Sequence, residues 1–215
     1  MKMSEKQNEY FYSMFTEEES RILEYIPTVS GLLDFALQNF AERPAVSDGN
    51  ISYSYRELYE RVAVRRGYLN ELGLKRGDRI AVFSPNTVDA MELYLAIVTS
   101  GYVSLMLPAA LDGNTLDALC KKFKISCLFY DESLKAVADK AAIRKYNTVY
   151  CAAKPIDAAE VTKDTVCSIC LTGGTTGVPK GAVMTHGAIM RGAFNGCFAP
   201  GETLYQRYIA ILPLS

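Results

Sequence analysis

Residues Leu171 to Gly181, LTGGTTGVPKG, gather four glycines, three threonines and one lysine directly behind the apolar run VCSIC. Glycines leave room for successive backbone N–H groups to approach an anion. The hydroxyls of Thr172, Thr175 and Thr176 add donors, and Lys180 adds one fixed positive charge. Hydrogen bonds to charged groups contribute about 1.5–3 kcal/mol each. Three or four such donors acting together could therefore hold a polyphosphate, where a lone surface lysine could not.

Two familiar glycine motifs do not fit. G-x-x-x-x-G-K-[ST] would need glycine at position 179 and Ser or Thr at 181, where the chain has Pro179 and Gly181. G-x-G-x-x-G would need glycine at 172 and a helix opening at once, whereas Thr172 stands there and GAVMT after the proline is β-like. A long hairpin turn, with glycines present for geometry alone, stays open as an alternative on composition.

The loop needs elements to hold it. Short apolar runs rich in Val, Ile and Tyr alternate with helical spacings along most of the chain. Ser30 is placed to cap a helix through GLLDFALQNF, and AVSDGNISY reads as a hairpin with Asp48 and Gly49 in the turn. Ser54 and Glu57 form a capping box, with Tyr53 and Leu58 at the staple positions. Leu58, Val62, Leu69 and Leu72 then recur at helical spacing, and Gly73 ends the helix. Strands follow at RIAVFS, YVSLML, ISCLFY and NTVYC, with helices at TVDAMELYLAIVTS, TLDALCKKF and ESLKAVADKAAI between them. After the polar connector AAKPIDAAEVTKD come strand VCSICL, the glycine-rich loop, strand GAVMT, a helix from Gly187 to about Phe198 and strand YIAILPL. The opening EKQNEYFYSMFTEEESRILEYI is expected to include a surface helix. Tyr94, Met106 and Phe194 are expected in the core.

This pattern predicts an α/β fold, layered and largely parallel, with helices on both faces of the sheet. The polar turn LKRGD divides it into residues 1–77, with the first helices, hairpin and sheet-layer elements, and residues 78–215, an α/β subdomain carrying the loop.

Composition excludes several function classes. Lys plus Arg number 23 against 24 Asp plus Glu, which offers no polyanion-binding surface and so argues against nucleic acid. No run of about 18 apolar residues could span a bilayer, and no secretory signal opens the chain, so the cytoplasm is the expected compartment. The six cysteines then read as reduced thiols. Cys167 and Cys170 have C-x-x-C spacing, but on a strand positions three apart face opposite sides, which spoils chelation. With one histidine in the whole chain, no metal site is assigned.

TGGTTGVPKG followed by AVMTH resembles the phosphate-binding signature of the AMP-forming, adenylate-forming superfamily: acyl-CoA synthetases, luciferases and the adenylation domains of peptide synthetases. Gly173 stands where that family more often has serine, at the cost of one hydroxyl donor. ISYSYREL, LGLKRGDRIAVFSPNTVD and SGYVSLMLPA are similar to successive family segments, in order, from about Ser30 to Ser215.

The resemblance implies a carboxylic acid substrate activated by attack on the α-phosphate of ATP, with Mg2+ accompanying the nucleotide. Acyl-adenylate and pyrophosphate result, and the acyl group passes to the thiol of coenzyme A or of a carrier protein. On that likeness Thr172, Gly173, Gly174, Thr175, Thr176, Gly177 and Lys180 cradle the β- and γ-phosphates, Pro179 fixes the loop's exit and Gly181 lets the backbone pass close. No catalytic residue is assigned within these residues. His186 occupies the place of a histidine that often follows the loop's second strand. At a strand-to-helix junction, however, such a residue is expected to satisfy backbone groups, and a carboxylate ionised near neutral pH needs no base.

RYIAILPLS ends on an apolar strand, which leads to the expectation that the chain is the N-terminal part of such a ligase, inactive without the missing C-terminal part. A stand-alone nucleotide- or pyrophosphate-binding module, and a non-catalytic scaffold completed by another chain, remain alternatives. The acid activated and the oligomeric state are not specified by these residues.

Overall fold

The computed structural model describes residues 26–149, 151–172 and 179–197, with side chains through residue 193. The opening aromatic and acidic stretch, the strand expected at YIAILPL, Gly173 to Gly177 and the Phe194 side chain lie outside them.

Caps set the helix starts. The first described helix, α1 (Val29–Phe40), is capped by Thr28, whose hydroxyl accepts the Gly31 N–H at 3.1 Å. Ser30 was the expected cap but lies inside the helix, because Thr28 already has the extended backbone a cap needs. Strands β1 (Pro44–Ser47) and β2 (Ser52–Ser54) form the expected antiparallel hairpin. In its turn Gly49 has φ +90°, and the Asp48 carboxylate accepts the Asn50 and Ile51 N–H groups, both at 3.1 Å. Asp48 also reaches the Val88 N–H at 3.2 Å, and this bond is the main reason its carboxyl is held below the ordinary value.

Helix α2 (Tyr55–Glu71) carries the capping box as read: Ser54 Oγ accepts the Glu57 N–H, and Glu57 Oε2 accepts the Ser54 N–H at 2.8 Å. Gly73, at φ +68°, closes it. There follow β3 (Arg79–Phe83), α3 (Val88–Thr99), β4 (Val103–Leu107), α4 (Gly113–Lys122), β5 (Cys127–Tyr130), a 3-10 turn (Glu132–Leu134) and α5 (Lys135–Ala138). Then come β6 (Lys145–Asn147), β7 (Val166–Thr172), β8 (Lys180–Thr185) and α6 (His186–Cys197). Two boundaries differ from expectation. ESLKAVADKAAI makes a 3-10 turn and a single α-turn rather than a full helix, and the strand expected at NTVYC falls earlier, at Lys145–Asn147.

The main sheet has the order β6-β5-β3-β4-β7-β8, parallel throughout except for β8, which runs antiparallel to β7. Alternation along the strands sends two sets of side chains to opposite faces. Ile80, Val82, Met106, Cys127 and Phe129 pack with Leu58, Val62 and Leu69 of α2 and Leu93 and Ile97 of α3. Ala81, Phe83, Leu105, Leu107, Leu128 and Ile169 pack with Leu116 and Leu119 of α4 and Ala138 of α5. The chain steps from β3 to β4 in one direction and from β4 past β3 to β5 in the other, so right-handed crossovers must put α3 and α4 on opposite faces. Met106 is buried and Tyr94 packs against the α2–α3 cluster. Because Leu58, Val62 and Leu69 share a cluster with Ile80 and Val82, the core runs continuously across the turn at Gly77.

The connector from 151 to 163 is pinned across α2 and α3. Ile156 N–H donates to the Ala63 carbonyl at 3.1 Å, Arg66 Nε to the Ile156 carbonyl at 2.9 Å, and Ala159 N–H to the Thr99 carbonyl at 2.8 Å. Gly67, in mid-helix, makes room for it: a Cβ there would stand 1.9 Å from the Lys154 carbonyl oxygen. Since that neighbour is backbone, Gly67→Ala is expected to lower unfolding free energy by about 2 kcal/mol in urea denaturation, despite alanine's better helix propensity. Gly192→Ala in α6 has nothing within 4 Å of the added methyl. The same measurement should show it stabilising by up to about 1 kcal/mol.

Candidate functional site: the glycine-rich hairpin

Strand β7 lies between β4, which it parallels at the Ser104–Ser168 pair, and β8. Ser168 Oγ donates to the Ser104 carbonyl at 3.3 Å in the buried part of the strand. The parallel direction brings Thr172, the last residue of β7, up on the carboxyl side of the sheet, where open α/β sheets present their ligand-binding loops. The chain then turns back, and Lys180 pairs with Thr172 while Gly181 pairs with Leu171. The glycine-rich segment is thus the connection of an antiparallel hairpin, so the geometric role weighed for its glycines and a phosphate-binding role are compatible.

Of the candidate phosphate ligands, Thr172 and Lys180 are described and stand at the neck of this connection. Gly173, Gly174, Thr175, Thr176 and Gly177 lie outside the described residues. Thr172 Oγ1 donates to the Lys180 carbonyl at 3.3 Å, tying the two sides together, and the Lys180 side chain is exposed.

The exit of the loop is braced by groups that sequence reasoning missed. The Pro179 carbonyl accepts Lys122 Nζ, from the end of α4, at 2.7 Å. A Cβ on Gly181 would stand 2.6 Å from Cε1 of Phe123 and 2.7 Å from Cγ2 of Ile169. The backbone does pass close at Gly181, and what it passes is an aromatic ring packed beneath it. A glycine on a strand is the one local sign of such an approach, and it does not name the partner.

His186 is fully buried at the start of α6, where its Nδ1 accepts the Val29 N–H at 3.2 Å. It satisfies a backbone group, as expected for this junction. Among the described residues its Nε2 has no hydrogen-bond partner at normal geometry. Burial holds the imidazole below its ordinary value of 6.5, with the Val98 carbonyl offsetting this only in part.

Cys167 is buried and Cys170 exposed, the opposite-face placement expected of a strand. Burial pushes the Cys167 thiol up to about 12 and Cys120 and Cys127 to about 11, so these thiols stay protonated near neutral pH. Among the described residues no group of three or more His, Cys, Asp or Glu side chains could hold a metal ion, and no helix is long and apolar enough to cross a membrane. An open cavity of about 360 Å³, lined by Arg76, Arg79, Thr165 and Val183 among others, lies toward the opposite, amino-terminal end of the parallel strands.

The fold and the hairpin define a layered α/β domain with a glycine-rich connection beside its parallel strands. A sequence model of the AMP-binding enzyme family matches residues 33–215, and the chain belongs to that family. Feruloyl-CoA synthase of Amycolatopsis sp. is 33% identical over 178 residues, covering 79% of this chain and 36% of that protein. The 2-succinylbenzoate–CoA ligase of Geobacillus kaustophilus (strain HTA426) is 30% identical over 178 residues, covering 80% and 36% respectively. The structure of O-succinylbenzoate coenzyme A synthetase from Bacillus subtilis in complex with AMP superposes with a TM-score of 0.72 at 21% identity, over 80% of this chain and 46% of that one, a likeness that shows the fold. The chain spans about a third of the length of these two relatives.

His186 is the single histidine of the chain, so between about pH 5.5 and 7 it dominates the side-chain titration. Its folded value is lowered, so the unfolded chain takes up the proton first. Stability is complete above about pH 7 and falls as pH drops through the ordinary histidine value, with a slope of up to about 1.4 kcal/mol per pH unit. Urea denaturation at stepped pH should show this slope, and His186→Asn, which can still accept the Val29 N–H, should flatten it.

Proposed function

We propose that this chain is the phosphate-gripping, N-terminal part of an ATP-dependent carboxylate–thiol ligase of the AMP-forming kind. The observation that carries the reading is the hairpin neck: in a chain of the AMP-binding enzyme family, Thr172 and Lys180 are paired at the carboxyl side of a parallel sheet, flanking a glycine- and threonine-rich connection. The names of the relatives, feruloyl-CoA synthase and 2-succinylbenzoate–CoA ligase, support a carboxylic acid as substrate and coenzyme A as acceptor.

In this reading ATP enters as its magnesium complex, and the metal belongs to the substrate. Thr172, Gly173, Gly174, Thr175, Thr176, Gly177 and Lys180 bind the β- and γ-phosphates. The ionised carboxylate attacks the α-phosphorus, the bond to the β-phosphate oxygen breaks, and pyrophosphate leaves with the negative charge that develops. Donors fixed around that charge stabilise it more in the transition state than in bound ATP, which is their contribution to rate. The hairpin ladder supplies the fixing. His186, buried and hydrogen-bonded to backbone, acts as a support beneath the hairpin's second strand rather than as a base. The five cysteines whose side chains are described are free thiols, which suits the cytoplasm as the working compartment.

Carboxylate-dependent ATP–pyrophosphate exchange by the full-length protein tests this. Lys180→Ala is expected to slow exchange by about a hundredfold, the scale of losing one preorganised donor to a developing anion. Exchange at the wild-type rate in that variant would remove the hairpin from the mechanism.

A further inference from the structure

The last turn of α4 meets the hairpin at two points, and only one is ordinary core packing. Phe123 lies beneath Gly181 and beside Ile169, and its own carbonyl accepts Arg79 Nη1 at 2.8 Å, so this turn is anchored to the start of β3. Lys122 is exposed, yet its ammonium is committed to the Pro179 carbonyl at 2.7 Å, across 57 residues of sequence. The adjacent Lys121 does something else, pairing with Asp117 one turn back in the same helix at 2.6 Å.

Pro179 explains why a bond from outside the sheet matters here. It lies one residue beyond the Thr172–Lys180 pair, the last of the ladder, and it has no N–H to offer a neighbour. The sheet holds the chain at Lys180 but leaves its approach unspecified. A charge-assisted bond from a helix seated in the core fixes the carbonyl of the preceding peptide, and with it the direction from which the chain enters Lys180.

We propose that Lys122 is a positioning residue for nucleotide binding: through Pro179 it sets where the Lys180 ammonium stands over the triphosphate. The inference rests on the reading of the hairpin as the ATP site. Lys122 itself need touch no substrate. Because the brace acts through the Lys180 ammonium, which meets the phosphates of bound ATP and, more strongly, the charge that develops on the leaving pyrophosphate, its loss raises the KM for ATP and lowers kcat as well.

The test is steady-state ATP–pyrophosphate exchange by the full-length protein carrying Lys122→Met, Lys122→Arg or Lys121→Met, with Lys180→Ala alongside. Lys122→Met is expected to raise the KM for magnesium-ATP about five-fold, the scale of one exposed charge-assisted hydrogen bond. Its kcat should fall by a few-fold, while its KM for the carboxylate and its melting temperature stay close to wild type. Lys122→Arg, which can still reach the carbonyl, should recover most of the loss, and Lys121→Met, which removes the same charge one residue away, should have no effect. The proposal is overturned by an unchanged KM for ATP in Lys122→Met, by an equal rise for both substrates, or by Lys121→Met matching Lys122→Met. If Lys180→Ala impairs exchange while Lys122→Met does not, the brace fails and the hairpin reading stands; if neither variant changes exchange, both fail.

Discussion

A parallel sheet must be covered on both faces, and most of this structure follows from that requirement. Strands β3, β4 and β5 carry continuous apolar runs because alternate residues serve two cores, one under α2 and α3 and one under α4 and α5. The order β5-β3-β4 obliges α4 to cross back over β3 on the face opposite α3. The end of α4 also meets the hairpin, so that a helix needed for burial presents Phe123 and Lys122 where the chain leaves the loop. Strand β8, the last of the sheet among the described residues, is supported from two sides, by the ladder to β7 and by an aromatic ring beneath Gly181.

The α2–α3 face solves a harder problem. Glu92 is fully buried, and an unpaired carboxylate there would be prohibitively costly. It is met by two arginines of α2: Arg61 hydrogen-bonds both of its oxygens, and Arg65 Nε reaches Oε2 at 3.0 Å. Arg65 continues to Asp89 and to the Thr148 carbonyl at 2.8 Å, which joins the residue after β6 to the helix layer. Such a cluster adds little net stability against a hydrophobic alternative. Losing one partner would leave a charge stranded, so it specifies one registration of α2 on α3. Arg66 extends the same logic outward to the connector through the Ile156 carbonyl.

Much of this was legible in the residues, because the signals were local. The capping box at Ser54 and Glu57, the turn at Asp48 and Gly49, the stop at Gly73 and the β-rich runs RIAVFS, YVSLML, ISCLFY and VCSICL each carry their own short-range chemistry, and the structure places them as read. The losses are of two kinds. Where short segments had competing options, the context decided: Thr28 rather than Ser30 caps α1, and ESLKAVADKAAI gives way to a 3-10 turn and one α-turn. Where contacts join residues far apart in sequence, local pattern was silent. Nothing near Lys122 points to Pro179, and nothing near Gly67 points to Lys154, although a glycine in a helix interior is a sign of something passing close. The candidate site was visible through its donor-rich loop and its likeness to a family signature; the neck that closes it and the brace at its exit required the fold.

The pairing of Thr172 with Lys180 has a thermodynamic corollary. Bringing the two ends of a loop together costs configurational entropy, and here the sheet has met that cost during folding, before any anion arrives. In the proposed phosphate-binding role, an anion held between ends already pinned by the sheet meets no further closure cost, so a larger share of each donor's interaction survives as affinity than it would on an open-ended arm.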